Sequence, residues 1–402
     1  MQAVILSAGE GTRMRPLTYT RPKVMIEVAN KPILAHLIEE LKKVGVDEVI
    51  LVVGYYQEKV REYFGKTWNG VRLKYSTQTK QLGTADALRS AEHYIEDDFL
   101  MLNGDTIVDA EDLKRIIENE MTIGVNTVDD PENYGVVVVK DGFVEEIIEK
   151  PEKPVANTIN AGIYHFTRDI FDYIRITPKS VRGEYEITDT INLAIKDGVR
   201  FSTAKISGWI DASYPWDLLK INELMLSNID TEIDGVVEKN VTIKGNVVIG
   251  EGSIIKAGTY IEGPVVIGKN CEIGPNCYIR AHTSIGNGCK IGAAVEVKNS
   301  IVMNGTKIPH HNYIGDSVIG ENCNFGAGTK VANLKLDEKE IEVYTKDKRI
   351  KTGRKKLGAI IGDNVKTGIN ASINAGAMIG NNCFIAPNAY VDGWIDPYTR
   401  VF

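Results

Sequence analysis

Residues Ile243 to Arg280 read "IKGNVVIGEGSIIKAGTYIEGPVVIGKNCEIGPNCYIR", and in them an aliphatic residue returns every six positions, at Ile243, Ile249, Ile255, Ile261, Ile267, Ile273 and Ile279. The series runs on through Ile285, Ile291 and Val297. A period of six is neither the helical 3.6 nor the strand period of 2. It marks a hexapeptide solenoid: a parallel β-helix whose three short faces make a coil of about 18 residues, with the aliphatic side chain inside. Chance does not account for so many consecutive matches. The five cysteines fit the same reading. Cys271, Cys277, Cys289, Cys323 and Cys383 each stand two positions before a repeat residue, where other repeats carry Ser, Thr, Ala or Val. They are expected to be small buried corner residues, with neither metal nor disulfide role.

The period also breaks. Extending the first phase gives Met303 and then fails at Pro309, while Tyr313, Ile319, Phe325 and Val331 define a second phase. After a polar insertion, "ANLKLDEKEIEVYTKDKRIKTGRKKLGAI", that phase resumes at Ile361, Ile373, Ile379, Ile385 and Val391. A regular solenoid needs neither a slip nor a long excursion, so both are candidate functional features, with "IPHHNY" inside the slip.

Upstream the pattern is different. The runs "AVILS", "EVILVVG", "DFLMLNGD", "TIGVNTV" and "GVVVV" read as buried strands, and "PILAHLIEELKKVG" carries Leu34, Leu37, Ile38 and Leu41 at helical spacing, with Gly45 as its stop. Alternating strands and helices imply an α/β, mostly parallel sheet that binds its ligands beyond the carboxyl ends of its strands. With 402 residues the chain is read as residues 1–228, a linker over 229–240, and a β-helix over 241–402. A net charge of −7 argues against a nucleic-acid partner. The first strand lacks the features of a signal peptide and no window reaches the ~18 apolar residues of a membrane span, so the expectation is a cytoplasmic protein with no membrane partner.

Directly behind the first strand, Leu6 to Lys23 read "LSAGEGTRMRPLTYTRPK". Small residues there let the backbone approach a ligand and aim N–H groups at it, as phosphate binding requires. Neither the dinucleotide fingerprint nor the P-loop fits, because Met14 stands where a third Gly is needed and no Gly-Lys-Ser/Thr follows. Instead Arg13, Arg15, Arg21 and Lys23 add side-chain charge. In the solenoid, Arg280 and Lys298 lie one full coil apart, so they should stack and could clasp a single phosphate.

The loop G-x-G-T-R-M-R-P-L-T followed by "RPKVMIEVANKPIL" resembles the sugar-1-phosphate nucleotidylyltransferases, and the order of the two halves resembles their bifunctional members, which join uridylyl or thymidylyl transfer to amino-sugar-1-phosphate acetylation. The resemblance implies a Rossmann-like nucleotidyltransferase domain followed by a left-handed parallel β-helix. It implies in-line attack of a sugar-1-phosphate oxygen on the α-phosphorus of UTP or dTTP, with release of pyrophosphate. Such transfer needs charge neutralisation and alignment more than a covalent catalyst. Arg13 would hold the triphosphate and Lys23 the reacting phosphates, and Leu6, Ala8, Gly9, Gly11 and Thr12 would line the nucleotide. Asp105 of "NGD" and Asp211 of "GWIDAS" resemble the ligands of Mg²⁺, a hard cation suited to two carboxylates and phosphate oxygens. "TQTKQLGTADAL" resembles the base-reading segment, with Gln78, Gln81, Gly83 and Thr84; "NYGVV", "IIEKP" and "INAGIY" resemble the sugar site, with Gly135, Glu149, Lys150, Asn160 and Gly162.

In the β-helix, the resemblance implies that Arg280 and Lys298 bind the acceptor phosphate and that His310, with Tyr313 in "H-x-x-Y", takes a proton as an amino group attacks acetyl-CoA. Glu296 would orient the imidazole, Asn324 would line the acetyltransferase substrate, and Asn333 and Lys339 resemble residues delivered across a subunit boundary in a homotrimer. Two rival readings keep the same fold: a monofunctional pyrophosphorylase with a structural β-helix, and a regulatory subunit of the exchange-factor type. The presence of Arg13, Lys23 and Asp105 together argues against the second.

Overall fold

In the computed structural model, which describes residues 1–346 and 348–402, the chain divides into two units. The first comprises Met1–Glu10, Arg21–Met25 and Pro32–Asp211; the second comprises Gly11–Thr20, Ile26–Lys31 and Ala212–Phe402.

The first unit is built on a ten-stranded sheet. Its centre is parallel: Gln2–Ser7 lies between Glu48–Val53 and Phe99–Asn103, with Ser7 opposite Val53 and Leu6 opposite Asn103. All six residues of Glu48–Val53 are buried, the pattern of a strand covered on both faces. Helix Ile33–Lys43 buries Leu34, Leu37, Ile38 and Leu41, and Gly45, at φ +87°, follows its end. The sheet is less parallel than the alternation suggests. Thr158–Phe166 runs antiparallel to both Phe99–Asn103 and Thr122–Thr127. Gly135–Lys140 and Phe143–Glu149 form a hairpin whose two-residue turn, Asp141-Gly142, has φ of 51° and 85°. Positive φ at both turn residues gives the type I′ geometry that closes a tight antiparallel pair.

The second unit contains the left-handed β-helix. Ile243, Ile261, Ile279 and Val297 stack in register on one face, and most of the repeat aliphatics of the first phase are fully buried. All five cysteines are free and buried among them, as their corner positions predicted. The residues read as a linker are solenoid instead: Glu232–Ile233 pairs with the Val247–Ile249 strand and Val236–Val237 with Ile254–Ile255. Ile233 and Val237 are exposed there, since an end coil has a neighbour on one side only.

The slip also differs from the sequence reading. Val302 sits opposite Ile285, Ile308 opposite Ile291 and Ile314 opposite Val297, so each of these coils is one residue shorter than those before it. Ile314 is fully buried, whereas Tyr313 is not an inward residue. The missing residue is lost at the corner Lys298-Asn299-Ser300, and again at Gly315-Asp316-Ser317, where Asn299 and Asp316 take φ of 44° and 49°. "IPHHNY" therefore lies between two shortened corners. The excursion then carries the chain from Ile319 to its neighbour Ile361.

Candidate functional site

In the first unit the parallel strands end together. Phe99–Asn103 is followed by Gly104, whose N–H donates to the Leu6 carbonyl at 2.9 Å, and a Cβ at Gly104 would stand 2.9 Å from both that carbonyl oxygen and Val24 Cγ1. Only glycine allows this approach, and it delivers Asp105 to the strand end. Ile210–Asp211 pairs antiparallel with Thr106–Ile107, placing Asp211 opposite Thr106. The two carboxylates converge on one ammonium: Lys23 Nζ donates to Asp105 Oδ2 and lies 3.8 Å from Asp211 Oδ1. The three side chains are largely buried. Two hard carboxylate donors either side of one cation make a set that fits a divalent metal, because anionic oxygens already share a positive charge at that point.

The segments expected at the sugar site assemble beside this cluster. Gly162 has φ +72°, and a Cβ on it would come within 2.3 Å of Asn103 Nδ2, so "INAGIY" abuts "NGD". Asn160 Oδ1 accepts from the Gly162 N–H at 3.0 Å. Gly135 faces Glu149 across the hairpin. Burial pushes the Glu149 carboxyl above the usual carboxylate range, against the pull of Arg182 and Lys150. Arg182, whose guanidinium lies 3.1 Å from Glu149 and 2.7 Å from Glu186, was not picked out from the sequence. Its signal was "RGEYE", one cation beside two glutamates.

The segment expected to read the base packs close through Gly83, at φ +109°, where a Cβ would meet the Tyr185 carbonyl at 2.4 Å. Thr84 Oγ1 accepts from the Ile187 N–H. Both glutamine amides donate within the protein: Gln78 to the Gly83 carbonyl and Asp86, and Gln81 to the Ala8 carbonyl at 2.8 Å. Leu6, Ala8 and Gly9 belong to this unit; Gly11, Thr12 and Arg13 belong to the second. There Gly11 takes φ +66°, its carbonyl accepts from Thr18 Oγ1 at 2.9 Å, and Arg13 is exposed in the short helical turn Thr12–Met14.

On the solenoid, one face gathers most of the residues expected for acetyl transfer. Arg280 and Lys298 are in register, with the Arg280 N–H donating to the Val297 carbonyl. Each has its own carboxylate: Arg280 pairs with Glu296 at 3.0 Å and Lys298 with Asp316 at 3.4 Å. Glu296 stands opposite Tyr313. The hub was missed by sequence reasoning. Asp316, 3 % exposed, accepts from Asn333 Nδ2 and from Asn299 Nδ2 at 2.9 Å and also holds Lys298. Burial, then the Glu296 and Asp316 carboxylates, raises the Tyr313 hydroxyl pKa above its usual value.

Three of these residues stand apart from their expected partners in the single chain. The carboxylate of Glu296 is engaged by Arg280 and not by the imidazole. Asn333 is held within its own chain by Asp316. His310 lies on the adjoining face, opposite Ala293, and is exposed, with no side-chain hydrogen bond among the described residues. Asn324 shares that face, bridged to Lys307 and Lys366, and Lys339 is exposed beside Asp337.

Comparison with known proteins places this geometry. Residues 2–228 match the nucleotidyl transferase family model. Residues 261–368 match a GMPPB C-terminal domain, and 358–393 match the six-repeat bacterial transferase hexapeptide. A bifunctional protein GlmU of Methanocaldococcus jannaschii is 46% identical over 100% of this chain and 97% of its own. A bifunctional sugar-1-phosphate nucleotidylyltransferase/acetyltransferase of Sulfurisphaera tokodaii is 46% identical over 98% and 97%. Among solved structures, one from Bacillus anthracis, assigned as a glucose-1-phosphate thymidylyltransferase and in complex with sucrose, superposes with a TM-score of 0.52 at 29% identity, covering 58% of this chain and 98% of its own.

Proposed function

We propose, for a chain that belongs to the nucleotidyl transferase family and to its bifunctional nucleotidylyltransferase/acetyltransferase branch, that it makes a nucleoside-diphosphate amino sugar in two steps on one polypeptide. In the first unit a sugar-1-phosphate oxygen attacks the α-phosphorus of UTP or dTTP; the bond to the β-phosphate breaks and pyrophosphate leaves. The observation that carries this reading is the convergence of Asp105 and Asp211 on Lys23 at the end of the central strands. Asp105 and Asp211 would hold Mg²⁺, which supplies neutralisation of phosphate charge when bound. Lys23 balances the charge of the two phosphates being joined. Gly162 and Asn160 set the backbone against which the sugar hydroxyls lie, and N-acetylglucosamine-1-phosphate or glucose-1-phosphate is the acceptor.

On the solenoid, the amine of glucosamine-1-phosphate attacks the thioester carbonyl of acetyl-CoA. An N–C bond forms, the C–S bond breaks, the amine proton passes to His310, and the thiolate leaves as the thiol after protonation. Histidine suits this exchange because it trades a proton near neutral pH. Arg280 and Lys298 lie where the acceptor phosphate would bind, and a homotrimer would bring neighbouring solenoid faces side by side.

The test is a matrix assay of pyrophosphate release over four triphosphates and several sugar-1-phosphates, run beside a thiol-release assay with amino-sugar phosphates. His310→Ala should eliminate thiol release while leaving uridylyl transfer within a few fold. A wild type that never releases thiol would leave a monofunctional pyrophosphorylase; equal release by variant and wild type would place the base elsewhere.

A further inference from the structure

The excursion between the solenoid coils carries a charge that no partner among the described residues accounts for. Seven of the chain's 47 Lys and Arg fall between Lys346 and Lys356, in a protein whose net charge is −7. The two arginines are engaged, Arg349 with Glu342 at 2.6 Å and Arg354 with Glu223 at 3.7 Å. The five lysines, Lys346, Lys348, Lys351, Lys355 and Lys356, are exposed, and none of them has a carboxylate within 4.0 Å among the described residues.

This is not a loose tail. Glu342–Tyr344 and Arg349–Lys351 form an antiparallel hairpin. Ile341 and Val343 are buried beneath it, and a Cβ on Gly376 would meet Ile341 Cγ2 at 2.8 Å. The excursion also leaves and returns at one place. Leu334 bridges antiparallel to Lys356, and the Leu357 N–H donates to the Asn333 carbonyl at 3.1 Å. Asn333 is the residue that binds Asp316, which holds Lys298. Lys355 and Lys356 therefore adjoin the face proposed for acetyl transfer, and Lys351 closes the hairpin strand that precedes them, with Lys348 just before that strand. Exposed apolar surface accompanies them at Leu334, Leu336 and Tyr344.

Lysines clustered beside an acyl-transfer face, with no carboxylate partner among the described residues, match a ligand that carries several phosphates behind its thioester. We propose that Lys355 and Lys356, with Lys348 and Lys351, bind the 3′-phosphate and diphosphate of the coenzyme A carrier. The assignment rests on the acetyl-transfer reading given above. Lysine ammoniums act here as point charges toward phosphate, and a cluster of them concentrates a multivalent anion at low ionic strength.

The experiment is calorimetric titration of the full-length protein with coenzyme A and with pantetheine, which lacks all the phosphates. It compares wild type with Lys355→Gln/Lys356→Gln and Lys348→Gln/Lys351→Gln. Each double variant should weaken coenzyme A at least tenfold in low salt, leave pantetheine unchanged, and release pyrophosphate from UTP at the wild-type rate. Unchanged coenzyme A affinity in both variants would overturn the assignment, as would equal losses for coenzyme A and pantetheine. So would binding of random-sequence nucleic acid that coenzyme A fails to displace. The two failures are distinguishable: a wild type that releases no thiol sinks the acetyl-transfer reading itself, whereas thiol release with an unaltered coenzyme KM in both variants sinks the lysine site alone.

Discussion

Replacing Asp316 by Asn tests whether the hub ties the excursion to the solenoid. The carboxylate takes Asn299 Nδ2 on one oxygen, at 2.9 Å, and Asn333 Nδ2 and Lys298 on the other. An amide can keep its carbonyl toward Asn299, but its NH₂ then faces two donors. A hydrogen bond to a charged group contributes roughly 1.5–3 kcal/mol, so losing Asn333 costs about 2 kcal/mol. Lys298, with 21% of its side chain exposed, keeps partial hydration, so its lost counter-charge adds only about 1 kcal/mol. The change should fall locally, because Leu357 N–H bonds to Asn333 and Gly358 N–H to the Asp316 carbonyl. At about 1.4 kcal/mol per decade, hydrogen exchange of those two amides should accelerate about a hundredfold, while the amides of the Ile243–Ile279 coils keep their wild-type rates. Mass-spectrometric exchange on peptides covering both segments measures this. Wild-type protection at Leu357 and Gly358 in the variant would refute the reasoning.

Other outcomes follow from the first unit. Asp105→Asn should abolish Mg²⁺-dependent pyrophosphate release with an unchanged circular dichroism spectrum, and near-normal turnover would end its assignment as a metal ligand. Gly162→Ala must place a methyl within 2.3 Å of Asn103 Nδ2 at φ +72°. Left-handed backbone alone costs a non-glycine residue about 1–2 kcal/mol, so kcat/KM for the sugar phosphate should fall at least tenfold; wild-type kinetics would show that the turn is not constrained. Carboxyl NMR of Glu149 should give a pKa above its ordinary 4.5, because burial disfavours the charged form. A raised carboxylate stabilises the fold below the unfolded pKa and loses that contribution as pH rises through the folded one. Glu149→Gln should accordingly flatten the stability profile on the alkaline side of pH 4.5, and an unchanged profile would argue against the shift.

Much of this architecture was legible because one aliphatic per face must be buried in every coil, which prints the period directly into the chain. The shortened corners were not. Ile301, Val302 and Met303 are all buried, so neighbouring apolar residues offer two registers that a periodic pattern cannot separate. Tyr313 beside Ile314 misled in the same way. Asp316 escaped notice because its partners Asn299 and Asn333 come beside it only when the coils stack at the shortened separation, which the period of six does not suggest. The carboxylate pair beside Lys23 was readable from "NGD" and "GWIDAS", yet the antiparallel strand that sets Asp211 beside Asp105 depends on two-residue pairing too short to leave a pattern. The Asp141-Gly142 turn was the opposite case: its signal lay in the sequence and pointed to the antiparallel edge.

The jump from Ile319 to its neighbour Ile361 bears on how the solenoid folds. A stacked array propagates coil by coil, each closing onto the one before at a nearly fixed sequence separation. At the excursion the next closure spans more than twice the separation of the coils on either side. Because closure entropy grows only logarithmically with length, the longer loop costs roughly 0.8 kcal/mol more. That is less than one charged hydrogen bond at Asp316. The β-helix can therefore host a folded appendage of this size between two coils almost without slowing its own assembly, and the same junction would accept a longer or shorter one on nearly equal terms.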